Sequence, residues 1–141
     1  MSGMQDLDQL LANMEPTLSD THYVFCTVVG DLIDYAHLNP LATYREQEGL
    51  TLVLEQSVAE QANLESIGPM ACFTLNVHSS LEAVGLTAAV AQQLTDAGIS
   101  ANVIAAYFHD HIFVSTYHAQ DALRALKAIT ADNVPNNQGM K

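Results

Sequence analysis

The sequence contains no tryptophan and is poor in positive charge. Four lysines and arginines stand against sixteen aspartates and glutamates, a net charge of −12 over 141 residues. That scarcity excludes partners: nucleic-acid affinity depends on Lys and Arg displacing phosphate counterions, and anionic membrane surfaces repel an acidic chain. No nucleic-acid and no membrane partner is expected; the plain reading of the acidity is solubility, and a basic protein partner is the alternative. No stretch approaches the roughly 20 apolar residues of a membrane helix. Met1 to Asn13 holds two Asp and no Lys or Arg, so it lacks the cationic start of a secretory signal. A cytoplasmic location is the expectation. Cysteine is scarce too: Cys26 and Cys72 lie far apart, neither with a second Cys nearby. Reduced, buried thiols are expected, with no zinc pair and no cofactor.

Apolar residues make up 49% of the chain, enough for a core of Leu, Ile, Val and Ala. Leu7, Leu10, Leu11 and Met14 recur at helical spacing, predicting a short amphipathic helix over Asp6–Met14, stopped by Pro16. Tyr23–Val29 (YVFCTVV) is β-branched and aromatic and reads as a buried strand. Leu32–His37 reads as a weak returning strand, and Asn39-Pro40 breaks it. Leu41–Glu48 carries no clear period. Leu50–Glu55 (LTLVLE) is a strand and Gln56–Ala62 a short helix. Leu64–Met70, with Gly68-Pro69, reads as a connection and the internal boundary. The expected division is 1–68, 69–130 and a frayed tail, 131–141.

The second half is clearer. Cys72–His78 alternates as a half-buried strand. Ser79-Ser80-Leu81-Glu82 has the spacing of a capping box. Leu86, Ala89, Val90, Leu94 and Ala97 form a helical stripe, and Gly98 sits where a terminating glycine belongs. Ser100–Phe108 and Ile112–Tyr117 read as strands joined by a tight turn at His109-Asp110-His111. A helix over Ala119–Ile129 presents Ala122, Leu123, Leu126 and Ile129 on one side. This β-α-β-β-α order lacks one strand of an α+β, ferredoxin-like βαββαβ unit. The first half is expected to lend it, with Tyr23–Val29 the leading candidate, so that two small units with antiparallel sheets interlock.

Val84-Gly85-Leu86-Thr87, then Leu94, then Ala97-Gly98-Ile99-Ser100-Ala101-Asn102-Val103 resembles the central pattern of ACT domains. In that family a Gly-Leu or Gly-Ile pair opens the first helix, and Ala-Gly-Ile leads into the second strand. Together with Arg45–Leu54 (REQEGLTLVL), the text resembles a bacterial family carrying two ACT-type halves in one short chain. The resemblance covers roughly Tyr23 to Ile129. It implies a ferredoxin-like fold, a regulatory and non-catalytic role, an amino-acid ligand bound by the strand-to-helix loop, and a homodimer. Where many ACT domains carry Asp and Pro just before the glycine, this chain has Glu82 and Val84.

The residues accommodate such a ligand. Unpaired N–H groups at a helix start suit a carboxylate. Gly85 removes a Cβ in front of that backbone, beside Leu86, and Thr87 adds a hydroxyl. Ser79 and Ser80 lie in the same turn, Glu82 can receive an ammonium, and Asn102 can donate and accept. The plainer reading of Gly85 is tight helix–sheet packing, and of Glu82 a cap. Arg45, Glu46 and Glu48 are candidates for the other side of the same pocket, Arg45 by bidentate contact with a carboxylate. Their plainer reading is a surface ion pair. His109, Asp110 and His111 raise a small metal-dependent hydrolase as an alternative. A ligand-free protein-interaction module is another.

Overall fold

The computed structural model of the chain describes residues 3–76 and 85–133, with residues 3–6 described by backbone alone. The capping box at Ser79 and the last residues of the Cys72–His78 strand lie outside the described residues. The chain forms two compact units. One is Asp20–Ala71; the other joins Met1–Ser19 to Cys72–Lys141.

Within Asp20–Ala71 the elements run β1, α2 (Leu32–Tyr35), β2 (Ala42–Glu46), β3 (Gly49–Glu55), α3 (Gln56–Gln61) and β4. β1 as a whole is Glu15–Val28 and β4 is Ser66–Asn76, so each strand also runs into the other unit. The strand order here is β2-β3-β1-β4. β1 pairs antiparallel with β3, Cys26 opposite Leu52, and β3 pairs antiparallel with β2. Val24, Cys26 and Val28 meet Leu50, Leu52 and Leu54 in one buried cluster, closed by Ala59. This is a complete βαββαβ unit in chain order.

Two readings are corrected in this unit. Leu32–His37 is not a strand: it is α2 followed by a 3-10 turn, Ala36–Leu38. Tyr35 and Leu38, three apart, pack on the core, a spacing that a helical turn satisfies and a strand does not. The Tyr35 hydroxyl also donates to the Val29 carbonyl at 3.1 Å. Leu64–Met70 is mostly strand, since β4 begins at Ser66 and passes through Gly68-Pro69.

The second unit contains α1 (Gly3–Ala12), the start of β1, the end of β4, α4 (Leu86–Asp96), β5 (Ala101–Ala105), β6 (Asp110–Ser115) and α5 (Ala119–Asn133). Its strand order is β1-β4-β6-β5. A first-half strand does complete this βαββα set, but the segment is Glu15–Ser19; Tyr23–Val28 pairs with β3 instead. Thr17 marks the junction, accepting a hydrogen bond from Asn76 Nδ2 at 2.6 Å. The polar run Thr17–His22 hid this half of β1, because it carries no apolar alternation.

β6 lies between β4 and β5, and Ile112, Phe113 and Val114 are all buried, as an interior strand covered on both faces requires. Leu86, Val90 and Leu94 of α4 and Ala122, Leu126 and Ile129 of α5 face the core. α1 packs on α4 and α5, with Leu11 and Met14 buried. It ends at Ala12, ahead of Pro16, with Asn13 Nδ2 donating to the Gln9 carbonyl. α5 continues through Ala131 to Asn133, beyond the expected start of the tail. Both units therefore carry the ferredoxin-like α+β fold.

Candidate functional site

The first turn of α4 begins at Gly85, whose φ of 92° is a backbone conformation that favours glycine. Ala89 N–H donates to the Gly85 carbonyl at 2.8 Å, so the N–H groups of Leu86, Thr87 and Ala88 precede the first helical bond. They carry the positive end of the helix dipole. Thr87 is exposed, and its hydroxyl donates to Asp110 Oδ2 at 3.0 Å. A donor cluster and a carboxylate thus stand side by side. Sequence reasoning missed Asp110 as a member of this site. It lies 23 positions from Thr87, and only the β6 pairing brings it there.

Gly85 has a packing duty as well. A Cβ there would lie 3.1 Å from Leu7 Cδ2 of α1, so the glycine makes room for α1. The Leu86 side chain is in the core, leaving its backbone N–H as its polar contribution. Asn102 is exposed on β5, opposite Phe113. Ser79, Ser80 and Glu82 lie outside the described residues. Arg45, Glu46 and Glu48 belong to the Asp20–Ala71 unit, at the turn from β2 into β3, and all three are exposed. Glu46 Oε1 accepts the Thr51 hydroxyl at 2.7 Å, and Arg45 makes no ion pair among the described residues.

ACT-domain profiles match residues 2–71 and 68–128. A solved protein of unknown function from Vibrio cholerae, described as a possible transport protein, is 57% identical; the match covers 92% of this chain and 99% of that one, with a TM-score of 0.85. The chain belongs to the ACT-domain family. A protein from Agobacterium tumefaciens shares the fold at 16% identity and a TM-score of 0.71, over 83% of this chain and 89% of that one. So does the ligand-free regulatory subunit of aspartate kinase from Thermus thermophilus, at 12% identity and a TM-score of 0.64, over 81% and 95%. Among curated proteins no sequence matches.

In this ACT-domain protein the conspicuous histidines sit differently from the sequence expectation. The hairpin turn is Ala106–His109, closed by Ala106 N–H donating to the His109 carbonyl at 3.0 Å; Asp110 and His111 are already in β6. The local text HDH suggested a turn, but cross-strand register sets it one step earlier, with Ala105 opposite Asp110. His111 Nδ1 is within 3.0 Å of the Thr74 hydroxyl, while Asp110 is engaged by Thr87. The His109 and His111 rings are 6.3 Å apart and perpendicular. No cluster of three or more His, Cys, Asp or Glu suited to a metal occurs among the described residues. Cys26 and Cys72 are buried free thiols, and burial pushes Cys72 up to about 11, so it stays protonated. No described helix is long and apolar enough to cross a membrane.

Proposed function

We propose that this ACT-domain protein is a regulatory, non-catalytic module that binds an α-amino acid at the start of α4. The observation that supports it most is the first turn itself. The first-turn N–H groups suit a carboxylate, and Asp110, held at 3.0 Å by the Thr87 hydroxyl that donates to it, suits an ammonium. The ACT matches and the fold shared with an aspartate kinase regulatory subunit point the same way. Ser79, Ser80, Glu82, Gly85, Leu86 and Asn102 complete the assigned ligand set. Arg45, Glu46 and Glu48 stay in that ligand set as assigned from the sequence. As sequence repeats, the two ACT domains are taken as 1–68 and 69–130. The protein is taken to act in the cytoplasm as a homodimer.

A thermal-shift panel of amino acids, read beside native mass spectrometry, tests this. A ligand at 100 times its Kd is expected to stabilise by about 2.7 kcal/mol. The ligand mass should appear on a species of twice 15.2 kDa. Thr87→Val and Asp110→Asn should abolish the shift. A flat panel from a well-folded sample refutes amino-acid binding, and a monomer mass refutes the dimer.

A further inference from the structure

The unit Asp20–Ala71 differs from the rest of the chain in what it shows to solvent. Nine large apolar side chains are exposed among the described residues, and six of them, Val29, Leu32, Ile33, Leu41, Tyr44 and Ile67, belong to this smaller unit. It also holds eight of the sixteen carboxylates, but of the four cations only Arg45. Apolar surface and negative charge are concentrated together.

They meet in one loop. Between β1 and α2 the chain reads Val29-Gly30-Asp31-Leu32-Ile33-Asp34. Val29 is 88% and Ile33 82% exposed. The core does not use them, because Tyr35 and Leu38 are the side chains of this segment that pack on it. Asp31 and Asp34 are exposed in the same stretch, and neither forms an ion pair among the described residues.

The loop is held in shape. The Tyr35 hydroxyl donates to the Val29 carbonyl at 3.1 Å, and Asp31 N–H donates to Asp34 Oδ2 at 3.3 Å. Asp34 N–H returns a bond to the Asp31 carbonyl at 3.0 Å. Gly30 makes the turn at a φ of 132°, where a Cβ would lie 3.3 Å from Asp34 Oδ2 and 3.4 Å from the Tyr35 ring. A partner therefore meets a surface that is already ordered. Single apolar side chains scattered on a surface need no explanation, whereas a fixed apolar pair set among carboxylates has the make-up of a recognition patch.

Charge selects the occupant. A second copy, paired about a two-fold axis, would set Asp31 and Asp34 against the same carboxylates, and like charges repel. The fit is to a segment in which branched apolar side chains are flanked by Lys or Arg. We propose that the Val29–Asp34 loop is a docking surface for such a basic segment of a partner protein. The apolar side chains pack on Val29 and Ile33, and the flanking cations meet Asp31 and Asp34. The surface stands whether or not α4 takes an amino acid; only the description of the partner as the regulated protein rests on the regulatory role proposed above.

The test uses the full chain and three fluorescent peptides, Lys-Val-Arg-Ile-Lys, Glu-Val-Glu-Ile-Glu and Lys-Ser-Arg-Ser-Lys. Binding is followed by anisotropy at physiological salt and by backbone ¹⁵N resonances. The basic apolar peptide should bind, the acidic one should not, and the basic polar one should bind at least about tenfold more weakly. Amide shifts should centre on Val29–Tyr35. Val29→Ser and Ile33→Ser should each weaken binding at least about tenfold. Asp31→Asn keeps a residue suited to cap α2 but removes the charge, and should weaken binding and flatten its salt dependence. Glu60→Gln and Ile67→Ser make comparable changes at exposed positions elsewhere in the unit and should leave the affinity unchanged. Peptide binding needs no amino acid, and the thermal-shift panel needs no peptide, so the two proposals fail separately. Equal binding of both basic peptides, or equal losses in Glu60→Gln and Asp31→Asn, shows general charge attraction and overturns the surface. A dimer that Ile33→Ser turns into a monomer in sedimentation places a second copy on the loop and overturns the basic partner. No binding of any peptide overturns the proposal outright.

Discussion

His111 shows how a single side chain here acquires a role that its neighbours in sequence do not announce. Its Nδ1 lies 3.0 Å from the Thr74 hydroxyl in a partly buried position. Burial there lowers the imidazole below its ordinary value near 6.5, and His109 nearby lowers it further, while Asp110 opposes the shift. The unfolded chain therefore binds a proton before the native protein does. The contribution of His111 is complete above about pH 6.5 and is lost as pH falls below it. Melting temperatures measured at about pH 7.5 and about pH 5.5 should differ more for the wild type than for His111→Gln. Equal differences in the two proteins would falsify this. Thr87 and Asp110 teach the same lesson: both residue types were visible, but their 3.0 Å contact spans 23 positions. The cysteines were legible without the fold, because apolar strand text already implies neutral, buried thiols.

Elements with a strong apolar period were readable, and those held by tertiary partners were not. α4 and α5 follow their stripes, and α4 ends as its glycine indicated. Gly98, at a φ of 77°, donates to the Thr95 carbonyl at 2.9 Å, and Ile99 donates to the Leu94 carbonyl at 2.9 Å. That is the Schellman pattern, with buried Leu94 and Ile99 as its apolar pair. A Cβ at Gly98 would meet nothing within 4 Å, so Gly98→Ala suffers only the backbone penalty. It should cost about 1 kcal/mol in urea denaturation. Gly85→Ala should cost more, up to about 3 kcal/mol, because it adds the Leu7 contact to the same penalty. Equal losses in the two variants would show that Leu7 simply yields. α2 was misread because four residues are too few for a period. β2 escaped notice because an exposed end strand of the sheet, Ala-Thr-Tyr-Arg-Glu, has no buried face to reveal it.

At the scale of the whole molecule, two ferredoxin-like units are drawn from one short chain by lending its first 19 residues to the second unit. Without them that unit loses a strand and the helix that carries buried Leu11. A fragment spanning Cys72–Lys141 should therefore melt without a cooperative transition. Joining residues 1–19 to its C-terminus through a flexible linker should restore one. A fragment that unfolds cooperatively by itself would show that α1 and Glu15–Ser19 are dispensable. The acidic character, the α+β class, the helices with a clear stripe and the ACT likeness were all legible before folding, because composition, periodicity and local motifs need no long-range partner. Folding alone reveals which piece of β1 belongs to which unit and that Asp110 stands at Thr87. Strand pairing and helix packing join residues more than 100 positions apart, as Thr130 and Met14 do, and no local pattern encodes that separation.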